Sequence, residues 1–258
     1  MHRLAQDGYS VCVNDIPGAR AEIQGVVNEI NRSAPPAAKT PTRPRAIGIP
    51  ADVTSSTAVE STVQETVARL GPLTLMVANA GVVQVKPITS VTEEDIQQVF
   101  SVNFNGTLNC YAQAARQMMA QGDPETAAGV GKYKIVGAAS SASYKGVGTL
   151  GVYCASKFAV RGLTQAMAAE MAPHNITVNA YAPGIVGTAM WEKMDEVMGQ
   201  IEGRAKGESL KMYSQRIPLG RTSVPEDVSG LVGGFLAGKD SDYMTGQTIL
   251  VDGGIVFN

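Results

Sequence analysis

The sequence predicts an α/β protein built on a doubly wound parallel sheet. Short apolar runs alternate with amphipathic stretches of helical spacing along all 258 residues. The runs are continuously apolar rather than alternating, as strands covered on both faces must be. Residues 9–13, 46–49, 73–77, 134–138, 177–181 and 248–251 read as strands. Residues 19–31, 56–70, 93–121, 152–172 and 225–236 read as the helices between them. Thr92 suits the cap of the third helix, and the run Glu93-Glu94-Asp95 suits its positive end. Pro225 suits the first turn of the last helix, followed by Glu226 and Asp227. The proline-rich segment 33–45 and the segment 122–131 read as surface excursions. No repeat or linker divides the chain, so one domain over 1–258 is expected.

The opening is unusual for such a sheet. A doubly wound nucleotide-binding fold begins with a strand, a glycine-rich turn and a helix. Residues 1–6 read as the tail of that helix, ended by Asp7 and Gly8. The expectation is therefore an N-terminally truncated domain, with the first strand and the glycine-rich turn missing and a central place in the sheet unfilled. Buried backbone groups left unpaired there cost about 1–3 kcal/mol each.

Composition excludes several functions. A net charge of -2 provides no basic surplus for nucleic acid or an anionic membrane. Three cysteines and two histidines show neither disulfide nor zinc spacing, so no metal is expected. The N-terminus lacks an apolar leader, and no apolar run reaches the ~18 residues that span a bilayer. A cytoplasmic protein is expected.

The stretch from Ser140 to Lys157 carries the most chemistry. It places a serine thirteen residues before Tyr153 and a lysine one helical turn after it. An ammonium beside a phenol stabilises the phenolate and lowers its pKa, which suits proton transfer in a carbonyl/alcohol interconversion. GVGTLG at 146–151 matches G-x-G-x-x-G, but six residues separate it from the strand, so it reads as a small-residue loop beside a substrate pocket. Asp15, at the end of a strand, can hydrogen-bond an adenosine ribose and repel a 2′-phosphate; a turn aspartate before Pro17-Gly18 explains it equally well. Asp52, followed by Val53, is an adenine contact or a helix cap. Asn79, Ala80 and Gly81 close another strand, where backbone can approach a ligand. Pro183 and Gly184 end a further strand, and Thr188 beyond them can bond a nicotinamide amide or a phosphate. The run 189–216, with Met190 and Trp191, reads as a surface helix with an apolar stripe or as a lid over the pocket.

Taken together and in order, Asp15, the Asp-Val at 52–53, Asn-Ala-Gly at 79–81, the Asn-Phe-Asn-Gly from Asn103, Ser140, Tyr153 to Lys157, Pro-Gly at 183–184 and the closing MTGQTILVDGG resemble the short-chain dehydrogenase/reductase family. The resemblance spans the chain and implies a Rossmann-like fold. It implies Tyr153 as general acid/base, Lys157 lowering its pKa and holding the ribose, Ser140 on the substrate oxygen, and Asn103 anchoring a water. Asp15, Asp52, Val53, Asn79, Ala80, Gly81, Tyr153, Lys157, Pro183, Gly184, Val186 and Thr188 would line the cofactor, NAD(H) in preference to NADP(H). Ser140, Ser141, Tyr153, Met190 and Trp191 would meet the substrate.

A narrower similarity, in VYCASKFAVRGLTQ, YAPGIVGTAMW and DSDYMTGQTILVDGG, is to the diacetyl (acetoin) reductase / meso-2,3-butanediol dehydrogenase subgroup. It implies a small ketone or secondary alcohol as substrate. Ser141 and Val147-Gly148 replace that subgroup's usual glutamine and Asn-Pro, which leaves a bulkier ketone equally open. The family implies a homotetramer or dimer. A catalytically silent dinucleotide-fold protein that acts through partner binding is the alternative reading.

Overall fold

The computed structural model describes residues 1–33, 44–122 and 133–257. Most of each expected surface excursion, 34–43 and 123–132, lies outside the described residues.

The chain begins with helix α1 (His2–Gln6), and Gly8, at φ 101°, turns it into strand β1 (Val11–Val13). Helix α2 (Arg20–Ser33), strand β2 (Ala46–Gly48), helix α3 (Ser56–Leu70) and strand β3 (Leu75–Ala78) follow. Helix α4 (Glu93–Phe100) passes through a π-helical stretch (Ser101–Gly106) into α5 (Thr107–Ala120). Strand β4 (Tyr133–Ala138), helix α6 (Gly151–Met171) and strand β5 (Ile176–Pro183) form the centre. Helices α7 (Ala189–Glu202), α8 (Glu208–Ser214) and α9 (Pro225–Leu231) lead to strand β6 (Thr248–Val251).

Local signals explain several boundaries. The Ser55 hydroxyl accepts from the Ala58 amide at 3.2 Å to cap α3, and Thr92 and Asp95 form a reciprocal capping box on α4. The expected single helix over 93–121 is interrupted by the π-helical stretch. All strand pairs are parallel, in two sheets: β1 with β2, and β3-β4-β5-β6. Among the described residues the ladder is interrupted between β1 and β3. Side chains bridge that interval, since Leu75 and Val77 pack against the cluster holding Val11 and Val13. No helix among the described residues is long and apolar enough to cross a membrane.

The central strands are buried up to the last residue of β5, with Ile135 and Val178 fully enclosed against Tyr111 and Met118 of α5. That burial makes β4 and β5 the rigid platform of the molecule. Their carboxyl ends, where an open α/β sheet presents its ligand crevice, lie beside the candidate catalytic residues.

Candidate active site

Ser140 lies two residues beyond β4 in extended backbone, and its Oγ accepts from the Ala142 amide at 3.1 Å. The Tyr153 phenol, near the start of α6, faces the Ser140 side chain, which favours its ionised form. The neighbouring serines are placed differently from Ser140: Ser143 is fully buried and donates to the Ser140 carbonyl at 2.5 Å, and Ser141 is half-buried in the following turn. Lys157, one turn along α6, donates from Nζ to the Ala138 carbonyl at 2.7 Å. Its Nζ is 5.7 Å from the centroid of the Tyr153 ring.

The expected lowering of the Tyr153 pKa is not what the structure gives. Burial raises the phenol, and the Ser140 side chain only partly opposes this. Burial also pulls Lys157 down to about 8, so the lysine bears the same desolvation that it was expected to relieve. A phenol kept protonated in this way is suited to donate a proton, the role needed when a ketone is reduced.

Asn103 belongs to the π-helical stretch and is wholly enclosed. Its Oδ1 accepts from the Val82 amide at 2.8 Å, and its Nδ2 donates to the Val82 carbonyl at 2.9 Å and to Ser156 Oγ at 3.0 Å. Ser156 in turn donates to the Tyr153 carbonyl at 2.7 Å. Asn103 thus ties the segment after β3 to the helix that carries Tyr153. Ser156 was missed by the sequence reading, although it lies inside the Tyr-x-x-x-Lys motif itself.

The residues expected around a cofactor lie beyond the carboxyl ends of four strands. Asp15 follows β1 and is exposed, with its carboxylate accepting from the Ile16 amide at 2.7 Å. Asp52 is exposed and accepts from the Thr54 amide at 2.9 Å, while Val53 beside it is buried. Asn79 and Ala80 are exposed, and Asn79 Oδ1 accepts from the Tyr181 hydroxyl. A Cβ on Gly81 would make ordinary van der Waals contact at 3.4 Å with both Lys157 Nζ and Asn103 Oδ1, so this turn lies directly against them. Pro183, Gly184 and Val186 are half-buried, and Thr188 is exposed at the cap of α7. This row of small and polar groups at the strand ends fits an extended nicotinamide nucleotide. Asp15 would take its adenosine ribose, and the Gly81–Lys157 corner would take its nicotinamide end.

Beside the phenol is an apolar wall. Val83, Val85, Ala142, Val147, Leu150, Cys154, Met194 and Met198 cluster with Tyr153, Trp191 and Tyr213. Of the two lid residues expected to meet substrate, Trp191 joins this wall and Met190 is exposed outside it. The wall residues Met194, Met198 and Tyr213 carry only the general signal of an apolar stripe in 189–216. Among the described residues no histidine, cysteine or acidic cluster could hold a metal ion.

Residues 2–256 match the family model described as enoyl-(acyl carrier protein) reductase. The chain belongs to the short-chain dehydrogenase/reductase family, and it is an oxidoreductase of the alcohol dehydrogenase/ketoreductase kind. It is 43% identical over 256 residues to L-2,3-butanediol dehydrogenase of Corynebacterium glutamicum, covering 99% of this chain and 92% of that one. It is 38% identical over 257 residues to the (S)-acetoin-forming diacetyl reductase of Staphylococcus epidermidis, with the same coverage of 99% and 92%. Among solved structures, sorbitol-6-phosphate 2-dehydrogenase from Erwinia amylovora superposes with a TM-score of 0.87 at 28% identity, covering 100% of this chain and 94% of that one. An NAD+-bound xylitol dehydrogenase superposes at 0.84 and 27%, covering 98% and 91%. Dehydrogenases of this family use nicotinamide cofactors.

Proposed function

We propose that the protein interconverts a small ketone and its secondary alcohol, taking hydride from and returning it to NAD(H) in preference to NADP(H). The observation that carries this reading is the convergence of Ser140, the Tyr153 phenol and Lys157 at the end of β4, with Lys157 Nζ 5.7 Å from the Tyr153 ring. A bound nicotinamide supplies the hydride chemistry. In the reducing direction Ser140 orients the carbonyl oxygen, and Tyr153 gives that oxygen its proton as the carbonyl carbon is reduced. Lys157 and Asn103 hold the phenol and the turn at Gly81 in register.

Two further observations bear on the substrate and the nucleotide. The wall that includes the Tyr153 ring is apolar, which favours a carbonyl flanked by short alkyl or acyl groups. The names of the butanediol- and diacetyl-acting relatives agree with that class. The exposed Asp15 carboxylate would repel a 2′-phosphate, which favours NAD. The exposed Ile96, Leu108 and Phe158, on α4, α5 and α6, support assembly as a homotetramer or dimer through these helices.

The reading is tested by following nicotinamide absorbance with diacetyl, acetoin and a series of bulkier ketones, each with NADH and with NADPH. Turnover of at least one small ketone is expected, with NADH at least ~10-fold better in kcat/KM. No turnover of any ketone with either nucleotide would abandon it.

A further inference from the structure

Residues 188–222, which supply part of the apolar wall, form an excursion whose two ends lie side by side, with the Leu219 amide also donating to the Gly253 carbonyl at 3.2 Å. The Gly187 amide donates to the Ser223 carbonyl at 2.9 Å, and the Ser223 amide donates to the Ile185 carbonyl at 2.9 Å. The excursion holds two helices, α7 and α8, joined by a tight turn whose glycines Gly203 and Gly207 sit at φ 70° and 89°. At its centre is Asp195, only 3% exposed, on the α7 turn after Trp191. Its Oδ1 accepts from the Leu210 amide at 2.6 Å, and its Oδ2 accepts from the Gly207 amide. No cation among the described residues forms an ion pair with it.

Seven residues are too few for a helix to stand alone in water, and Gly207, at the N-cap of α8, has no side chain to cap it. Asp195 supplies that cap from the other helix. A buried carboxylate held only by amide donors is costly to leave unmatched, so Asp195 ties the start of α8 to α7. Three residues beyond Leu210, Tyr213 packs its ring 6.2 Å from the Trp191 ring, and both belong to the wall containing Tyr153.

We propose that α7 and α8 form one preassembled paddle, and that Asp195 is the positioning residue that sets substrate fit by holding Trp191 and Tyr213 in a single geometry. This rests on the ketoreductase reading only for its kinetic arm. Trp191 is the chain's only tryptophan, so intrinsic emission reports the paddle directly.

The experiment compares Asp195→Asn and Asp195→Ala with the unmodified chain, using acetoin and diacetyl as probes. The expected result is red-shifted emission and roughly 2–4-fold stronger acrylamide quenching in Asp195→Ala, with Asp195→Asn between it and the unmodified chain. KM for the ketone rises ~10-fold, while kcat stays within ~3-fold and KM for NADH is unchanged. A folded Asp195→Ala with unaltered emission and ketone KM overturns the proposal, as does an equal rise in both KM values. If Asp195→Ala does not fold, hydrogen exchange on the unmodified chain decides: Gly207 and Leu210 amides exchanging together with α7 support the paddle, and exchange at the rate of an open loop overturns it. Absence of ketone turnover by the unmodified chain would sink the reductase reading alone, since emission and exchange would still decide the clamp.

Discussion

The two halves of the candidate site are held in different ways. The proton-handling half draws on β4, α6, the segment after β3 and the π-helical stretch, and its anchors are redundant. Asn103 makes three hydrogen bonds to two segments, Ser156 adds another to the Tyr153 carbonyl, and Lys157 is fixed to Ala138. The paddle half is tied to the body by backbone bonds at Ile185–Ser223 and from the Leu219 amide to the Gly253 carbonyl, and within itself by one carboxylate at Asp195. The first arrangement holds an acid to within fractions of an ångström, as proton transfer requires. The second lets substrate fit change without disturbing the chemistry. Changes in the first half should therefore act on kcat, and changes in the second on ketone KM.

The largest effect is expected at Tyr153. Tyr153→Phe removes the proton donor and leaves the ring in the wall, so kcat for ketone reduction should fall ~10³-fold with KM within ~3-fold. Steady-state kinetics checks this, and a residual rate above about a tenth of wild type would break the division between the halves.

Lys157→Met comes next, with an expected ~10²-fold loss in kcat. It also has a stability signature. Lys157 is lowered by burial from 10.5 to about 8, so folding favours its neutral form. Between these values the unfolded chain binds more protons, and stability rises with pH; below about 8 the buried charge costs up to about 3 kcal/mol. Cys110 and Cys154, whose pKa values burial raises, act oppositely above about 9. The stability difference between wild type and Lys157→Met cancels that contribution and should narrow from pH 8 to 10. Chemical denaturation across that range measures it, and a difference flat with pH would show that Lys157 is not desolvated.

How far this division is written in the sequence depends on how local its causes are. Helix α3 has the expected bounds because Ser55 and Gly71 mark its ends within the segment, and β6 covers the expected 248–251. The π-helical stretch was not legible inside 93–121, since it accompanies the bonding of Asn103 to Val82, twenty-one residues away. The Tyr153–Lys157 spacing showed which groups meet but not which way the phenol shifts, because burial is contributed by elements far along the chain. Asp195 gave no signal, as its partners are backbone amides that any sequence supplies. Side chains that act on side chains a turn apart could be read; those that act on distant backbone could not.

Asn103→Ala tests the redundancy more gently. It unpairs the Val82 amide and carbonyl and one bond of Ser156 in a fully enclosed place, so a loss of about 2–4 kcal/mol is expected. Because Ser140 and Lys157 keep their own anchors, kcat should fall only ~10-fold, with ketone KM little changed. Thermal unfolding and kinetics on one preparation check both numbers. A larger rise in ketone KM than fall in kcat would place Asn103 with the paddle.

The smallest effect, Ser156→Ala, gives the sharpest comparison. Its hydroxyl accepts from Asn103 and donates to the Tyr153 carbonyl, while Asn103 Nδ2 keeps its bond to the Val82 carbonyl. A fall of ~2–5-fold in kcat and about 1 kcal/mol in stability is expected. If Ser156 acts partly through Asn103, adding Ser156→Ala to Asn103→Ala should cost less than it does alone, because the shared bond is already gone and only the bond to the Tyr153 carbonyl remains to be lost. Added instead to Asp195→Asn, it should cost its full amount, since Ser156 and Asp195 have no hydrogen-bonding partner in common. Coupling above about 0.5 kcal/mol in that second pair would mean that paddle and proton-handling half communicate through the Tyr153 wall, and that catalysis and substrate fit cannot be altered separately.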